Sequence, residues 1–512
     1  MSDATSFSKL GYLMLKKESA AGTAIYPVTP VELLSENIKT NWDFTAVTTI
    51  AQNRSMNMRP VKNKVGPFEG TLEFYVEPNL HGHFLCGLFG EDTHTTITAG
   101  VSEVSDFQPL TTIQSYTMDI KEGGEDYVRR YFGVRIKKIT YSLDENKLKA
   151  SIDVTAQRCF TNARVTLAAS SGTALLVDQT SGLVAGSDTI QVLSAAAPST
   201  VLATLTVTTV TDELTLVVST IGASLAANDI VVIKAQTIDE DNYDLSGEFI
   251  WSGGAEVSVG NGANALQALA AKTNCESFEL TIENDIEPRW AATGADVVDR
   301  MPSAMLLKGV TVSGKFSQFH TNPEFMDMLR QQEQVGLRFK FLGAALAANT
   351  AASATGVVES DGTGTVTVTV TATGEAGNDY AIIVVLGSSS GAATASLAGK
   401  LITLTLSTTP ASNAVATIAT LLDALANVTA VAASTGNVGT VDNDDKIYFA
   451  NGRDASEVEM LRFDLPNVRL MPFDANLGED AVMQEDIDFT AFRDSNDERE
   501  VHVRLRNDIT AF

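Results

Sequence analysis

Apolar and polar residues alternate along most of this chain, so strands are the expected element almost throughout. Gly70-Thr71-Leu72-Glu73-Phe74-Tyr75-Val76 has the period of a half-buried strand. Pro78 then opens a helix on which Leu80, Phe84 and Leu88 recur every four residues. The same succession returns later, with a strand at Gly314–His320, then Pro323 and a helix carrying Phe325, Met328 and Leu329. Two strands joined by a turn are expected at Phe132–Leu143 and Leu148–Gln157, and again at Leu465–Phe473 and Val482–Phe492. Between Trp42 and Gly70 the periodicity fades into a long polar stretch, which reads as a loop. A loop of that length inside a compact domain is usually functional.

These parallels extend to a string of landmarks that recurs in order. Glu36-Asn37 and Trp42 are echoed by Glu283-Asn284 and Trp290, and Arg59-Pro60 by Arg300-Met301-Pro302. Gly70 and Pro78 return as Gly314 and Pro323, Val134-Arg135-Ile136 as Val468-Arg469-Leu470, and Ile152–Ala156 as Ile487–Ala491. The offsets run 247, 248, 242, 244 and 245, then jump to 334 and 335. About 90 residues are therefore inserted into the second copy between Pro323 and Val468. A unit present twice in one chain suits two equivalent places in a symmetric assembly.

Two segments differ from the repeated unit. Ala163–Ile238 has seven charged residues and no aromatic, and Ala344–Val441 has six charged residues and one aromatic, Tyr380. Both alternate Val and Thr with small residues, and their low charge and abundant β-branched residues argue for folded β-domains rather than tethers. The second carries one expected helix, Ser412 to Leu425, capped by Ser412, with Val415, Ile418, Leu421, Leu422 and Leu425 on the face toward a sheet. Acidic runs, Asp239-Glu240-Asp241 with Asp244 and Asp442 with Asp444-Asp445, close each segment and read as solvated linkers. The division is then 1–162 for a first module, 163–243 for an inserted small β-domain and 244–343 for the first part of a second module. An inserted β-domain with one helix follows at 344–443, and 444–512 completes the second module. Each module reads as a β-sandwich or barrel section with a short helix on one face, in a mainly β chain.

Charge narrows the function. With 36 Lys plus Arg against 63 Asp plus Glu the formal charge is −27, which repels phosphates and excludes a general grip on nucleic acid. Lysines interrupt the apolar residues of Met1–Lys17, so no signal peptide is expected, and no apolar run is long enough to span a bilayer. Cys86, Cys159 and Cys275 are odd in number and widely spaced, which suits small buried apolar residues. Gly387-Ser388-Ser389-Ser390-Gly391 matches a nucleophile elbow, but a helix pattern does not follow it and the only downstream histidine, His502, lies in another module. His81, His83 and His94 sit at a helix start beside an apolar stripe and read as core rather than metal ligands. Neither catalysis nor a cofactor is expected. Asp153 and Asp488 alternate with apolar neighbours and, with Glu485 and Asp486, are candidates for an acidic wall.

Several stretches resemble the tail tube proteins of long-tailed bacteriophages, in the form that fuses two tube modules in one polypeptide. They are Gly11-Tyr12 through Glu36-Asn37 and Trp42, Gly66–Gly70, Gly123–Phe132, and Ile282–Trp290. The resemblance covers about residues 9–160 and 245–512 apart from the insert. It implies that each module contributes strands to a β-barrel ring, that three chains give six modules per ring, and that stacked rings form the conduit for the genome. It also implies that the stretch after Trp42 reaches the adjacent ring, with Trp42, Arg54, Arg59, Lys62, Lys64, Trp290 and Arg300 as candidate contacts. Asp153, Glu485, Asp486 and Asp488 would face the bore, where an acidic wall keeps DNA hydrated and moving. The implied partners are further copies of the chain, a tape measure protein, a tail terminator and distal tail proteins. DNA would pass without specific binding, in a virion tail assembled in the bacterial cytoplasm. The added β-domains depart from the family pattern and would lie outside the tube. An adhesin or decoration protein of a virion surface is the alternative.

Overall fold

The structure, a computed structural model, describes residues 11–39, 44–50, 56–62, 66–90, 93–98, 102–121, 123, 126–169, 171–238, 247–262, 265–272, 275–290, 301–319, 324–346, 353–358, 364–387, 391–439, 443–449, 457–472, 475–476, 484–494 and 499–509. Strands account for 56% of the described residues, which include three short α-helices, so the fold is mainly β, arranged in several sheets.

In the N-terminal part the alternating segments become β1 (Tyr12–Lys17), β2 (Ser35–Glu36), β3 (Phe44–Ile50), β4 (Met56–Lys62), β5 (Phe68–Tyr75), β6 (Ser102–Phe107), β7 (Tyr116–Lys121), β8 (Tyr127–Asp144) and β9 (Lys147–Phe160). Six of them pair antiparallel in the order β1–β7–β8–β9–β5–β2. Positive φ at Glu145 (45°) and Asn146 (75°) turns β8 into β9, the geometry whose twist matches the flanking strands. Helix α1 (Pro78–Phe89) starts at the expected proline and buries Leu80, Phe84 and Leu88. Phe84 stacks on Phe74 of β5 with ring centroids 4.7 Å apart.

The later part repeats this with β10 (Ala255–Asn261), β11 (Cys275–Arg289), β12 (Ala304–Phe319), β13 (Val335–Ala345), β14 (Val458–Leu470), β15 (Gln484–Ala491) and β16 (His502–Asn507). Their order is β10–β13–β14–β15–β12–β11, and α2 (Glu324–Gln331) buries Phe325 and Met328. The two sets join edge to edge. β8 pairs with β11 from Lys138↔Glu283 to Ser142↔Glu279, and β16 lies between β14 and β6. A single apolar core runs through both sets, from Leu13 to Leu505.

Two further cores stand apart. One gathers Val128, Phe132 and Phe160 with apolar residues from Ala163 to Ile233, and the other collects residues from Ala354 to Phe449, including one face of α3 (Val415–Asp423).

Several expectations are corrected. The large sheet through both halves branches without closing on itself among the described residues, so it is not a barrel within one chain. The stretch after Trp42 is not a plain loop, because Phe44–Ile50 and Met56–Lys62 pair as a hairpin; Thr45, Val47 and Thr49 supply the β-branched positions that favour it. Ser412 does not cap α3. Pro410–Asn413 is a 3₁₀ turn and Ala414 precedes the helix without a side-chain cap. Asp444 and Asp445 lie in the strand Asn443–Tyr448 rather than in a linker, and Cys275 is only half-buried, unlike Cys86 and Cys159. Asp239, Glu240, Asp241, Asp244 and Asp442 lie outside the described residues.

Candidate functional site

One polar face extends across both halves of the molecule. Every second residue of β5, β9, β8, β11, β12 and β15 points into the core, and the intervening residues align in rows across the strands. The first row is Thr71, Asp153, Lys138, Glu283 and Thr311, and the second is Glu73, Ser151, Thr140, Thr281, Ser313 and Thr490. Tyr75, Lys149, Ser142, Glu279, Lys315 and Asp488 make the third.

The charges on this face do not balance. Lys138 holds Asp153 at 2.7 Å, while the Thr71 hydroxyl donates to the same carboxylate at 2.8 Å. Its own hydrogen bond to Asp153 raises Lys138 above the ordinary lysine range. Lys149 sits 3.1 Å from Glu73 and, chiefly through hydrogen bonding, holds its carboxyl below the usual value. Lys315 reaches Asp486 at 3.7 Å. Glu279, Glu283 and Asp488 are exposed and have no salt-bridge partner among the described residues. The face is therefore acidic, and both halves contribute to it.

The seam beneath it is built from the repeated Glu-Asn pair. Asn284 shares the core side of β11 with Leu280, Ile282 and Ile286, and its Nδ2 donates to Leu88 O at 2.8 Å and Ile136 O at 3.3 Å. Arg135 answers from the other side, donating to Met305 O at 2.8 Å. Above the seam, the Thr140 and Thr281 hydroxyls meet at 3.2 Å.

Of the wall candidates, Asp153, Asp486 and Asp488 lie on the polar side of their strands. Glu485 does not. It is 1% exposed and accepts from Gln318 Nε2 at 2.9 Å. The physical reason is parity, since Glu485 shares the face of Ile487 and Phe489. Arg59 and Lys62 lie on β4, opposite Val47 and Phe44. Trp290 is half-buried just after β11. Trp42, Arg54, Lys64 and Arg300 lie outside the described residues, as does Ser389.

Sequence reasoning missed Glu279 and Glu283 on this acidic face, although their alternation with Phe278, Leu280 and Ile282 carried the signal. It also missed Arg130, which is fully buried between Asp119 (2.7 Å) and Asp188 (2.6 Å) and donates to Gly182 O. Burial opposes its charge, but the two carboxylates outweigh that and raise its pKa. This triad ties β8 to the segment after Ala163, a long-range match no local pattern announces. His81 is also fully buried, sharing a 2.7 Å hydrogen bond with Tyr141 Oη. Burial lowers its pKa to about 3 and that of His83 to about 4. Among the described residues no group of His, Cys, Asp and Glu is placed to hold a metal ion, and no helix is long and apolar enough to cross a membrane.

No protein family model matches the chain, and no curated protein is similar to it.

Proposed function

We propose that this chain is a tube subunit of a long-tailed bacteriophage, carrying two tube modules and assembling three to a ring around a bore. The observation that carries the reading is that the strands of the two halves pair in the same order and that the halves join by strand pairing, β8 to β11. Two equivalent units joined that way leave an equivalent pair of edges unjoined. At one, β2 follows exposed Leu34; at the other, the ends of β14 and β15 expose Met471 and Phe492. A further copy placed by the same operation covers both, and a rotation that repeats closes into a ring. Ring closure also removes the open strand edges that make β-rich chains aggregate.

In this reading residues 1–162 form the first module, and 244–343 with 444–512 form the second. The acidic face made by Asp153, Glu279, Glu283 and Asp488 lines the bore. A wall of that sign gives passing DNA no phosphate contacts to bind, so the genome slides as a hydrated rod. The hairpin of β3 and β4, bearing Arg59 and Lys62, is the candidate contact with the next ring. The segments 163–243 and 344–443 sit on the tube exterior, and the partners are the tape measure, terminator and distal tail proteins of such a tail.

Electron microscopy of the purified protein at rising concentration tests this. Hollow tubes whose rings average with threefold symmetry and six similar inner modules are expected. Rings of six whole chains would contradict the two-module reading, and dispersed monomers at every concentration would favour a decoration protein or adhesin instead.

A further inference from the structure

A second polar site lies away from that face, where the two halves meet the region 353–449. There a cavity of about 280 Å³ is lined by four arginines, Arg338, Arg462, Arg499 and Arg504, against three aspartates, Asp106, Asp379 and Asp464. In a chain of net charge −27 this local excess of guanidinium is out of keeping with the whole.

The aspartates are all engaged. Asp106 accepts from Arg504 Nε at 2.7 Å and Nη2 at 3.0 Å, and His502 Nε2 lies 3.0 Å away. Asp464 accepts from Arg338 Nε at 2.5 Å and Arg462 Nε at 2.9 Å. Asp379 stands 3.0 Å from both Arg338 Nη1 and Lys400 Nζ, and 3.6 Å from Arg462 Nη1. Arg499 is the exception. Its Nη1 reaches only Gln108 Oε1, at 3.4 Å, and its guanidinium lies 5.3 Å from the centre of the Tyr448 ring. Among the described residues it has no carboxylate partner.

A planar guanidinium lying over an aromatic ring, with no carboxylate on its donor fork, is suited to a bidentate carboxylate. The remaining wall offers Leu266, Phe449 and Pro466 as apolar surface. Its volume falls just under the range of about 300–1,000 Å³ typical of drug-sized ligands, so the occupant is small. We propose that this cavity binds a small organic acid carrying a single carboxylate, with Arg499 gripping the carboxylate and Tyr448 and Leu266 flanking the apolar body. Arg499 is the one lining guanidinium without a carboxylate among the described residues, and a single carboxylate matches its fork.

The test is thermal unfolding of the full chain in sodium benzoate, compared with sodium chloride at equal ionic strength and with neutral benzamide. Benzoate is expected to raise the midpoint in a saturable way, as ligand binding to the folded state requires, while chloride and benzamide do not. Arg499→Gln should weaken binding about tenfold or more, as expected for loss of a charge-assisted pair, whereas Arg289→Gln, on an exposed residue of β11, should leave it unchanged. Calorimetric titration of the unmodified protein should give one benzoate per chain. Equal stabilisation by benzamide or chloride, an undiminished response in Arg499→Gln, or no heat of binding would each overturn the proposal.

Discussion

Asn37 and Asn284 occupy the same place in the repeated sequence and opposite places in the structure. Asn284 is fully buried and spans the seam to Leu88 and Ile136 of the other half. Asn37 is exposed, its Oδ1 accepting only from the Thr71 N–H of its own half at 2.7 Å. The strands they belong to differ likewise. β11 is long and paired on both sides, whereas β2 has two residues and pairs only with β5 among the described residues. The difference teaches that the second half has a neighbour on this edge and the first half lacks one within a single chain.

Acid should separate the halves most. α1 carries buried His81 and half-buried His83, with pKa values lowered chiefly by desolvation to about 3 and about 4, and α2 has no histidine. A histidine depressed in the folded state gives stability that is complete above its unfolded value near 6.5 and is lost as pH falls toward the folded value. Between pH 6.5 and 4.5 the two together should cost on the order of 5 kcal/mol. Hydrogen exchange should find protection falling first around α1 and β5, and equal loss around α2 would contradict the assignment. Next in size, Asn284→Ala should destabilise the chain by about 2–3 kcal/mol in chemical denaturation, because two buried carbonyls lose a donor.

The paired glycines come third. A Cβ on Gly70 would sit 2.3 Å from Ile38 Cα, and one on Gly314 would sit 2.5 Å from Glu279 O and 2.4 Å from the Phe489 ring. Each glycine is where a neighbouring strand comes too close for a side chain. Gly70→Ala and Gly314→Ala should each cost about 1–3 kcal/mol; midpoints like the unmodified protein's would show that the approach relaxes freely. Smallest in stability is Asn37→Ala, expected below about 0.5 kcal/mol for the dispersed chain. If its edge receives another copy, the same change should raise the concentration needed for tubes about tenfold, readable by sedimentation. Unchanged assembly would remove Asn37 from any interface.

Much of the fold was legible because alternation and proline placement are local. The strands around Leu72 and Phe316, the helix after Pro78 and the separate Val/Thr-rich segments follow from short-range pattern. The hairpin at Phe44–Ile50 and Met56–Lys62 was hidden by its charges, since Arg59 and Lys62 mask a strand whose alternation is incomplete. Ser412 misled because a serine before an apolar run is a good cap only if the first turn begins there, and Pro410 starts a tighter turn instead. On the acidic face, parity was enough to place Asp153 and Asp488 off the core and would have placed Glu485 within it.

By itself, then, the sequence determined the strand periods, the order of the repeated landmarks, the excess of acid, and which side of each strand meets the core. Only the tertiary structure decided that β8 joins β11, that Asn284 is buried while Asn37 is not, that Arg130 meets two aspartates, and that Arg499 has no carboxylate to meet. Period is a property of neighbours in the chain, fixed by backbone geometry over a few residues. Partnership is a property of segments separated in the chain, set by which edges and charges the packed core brings together.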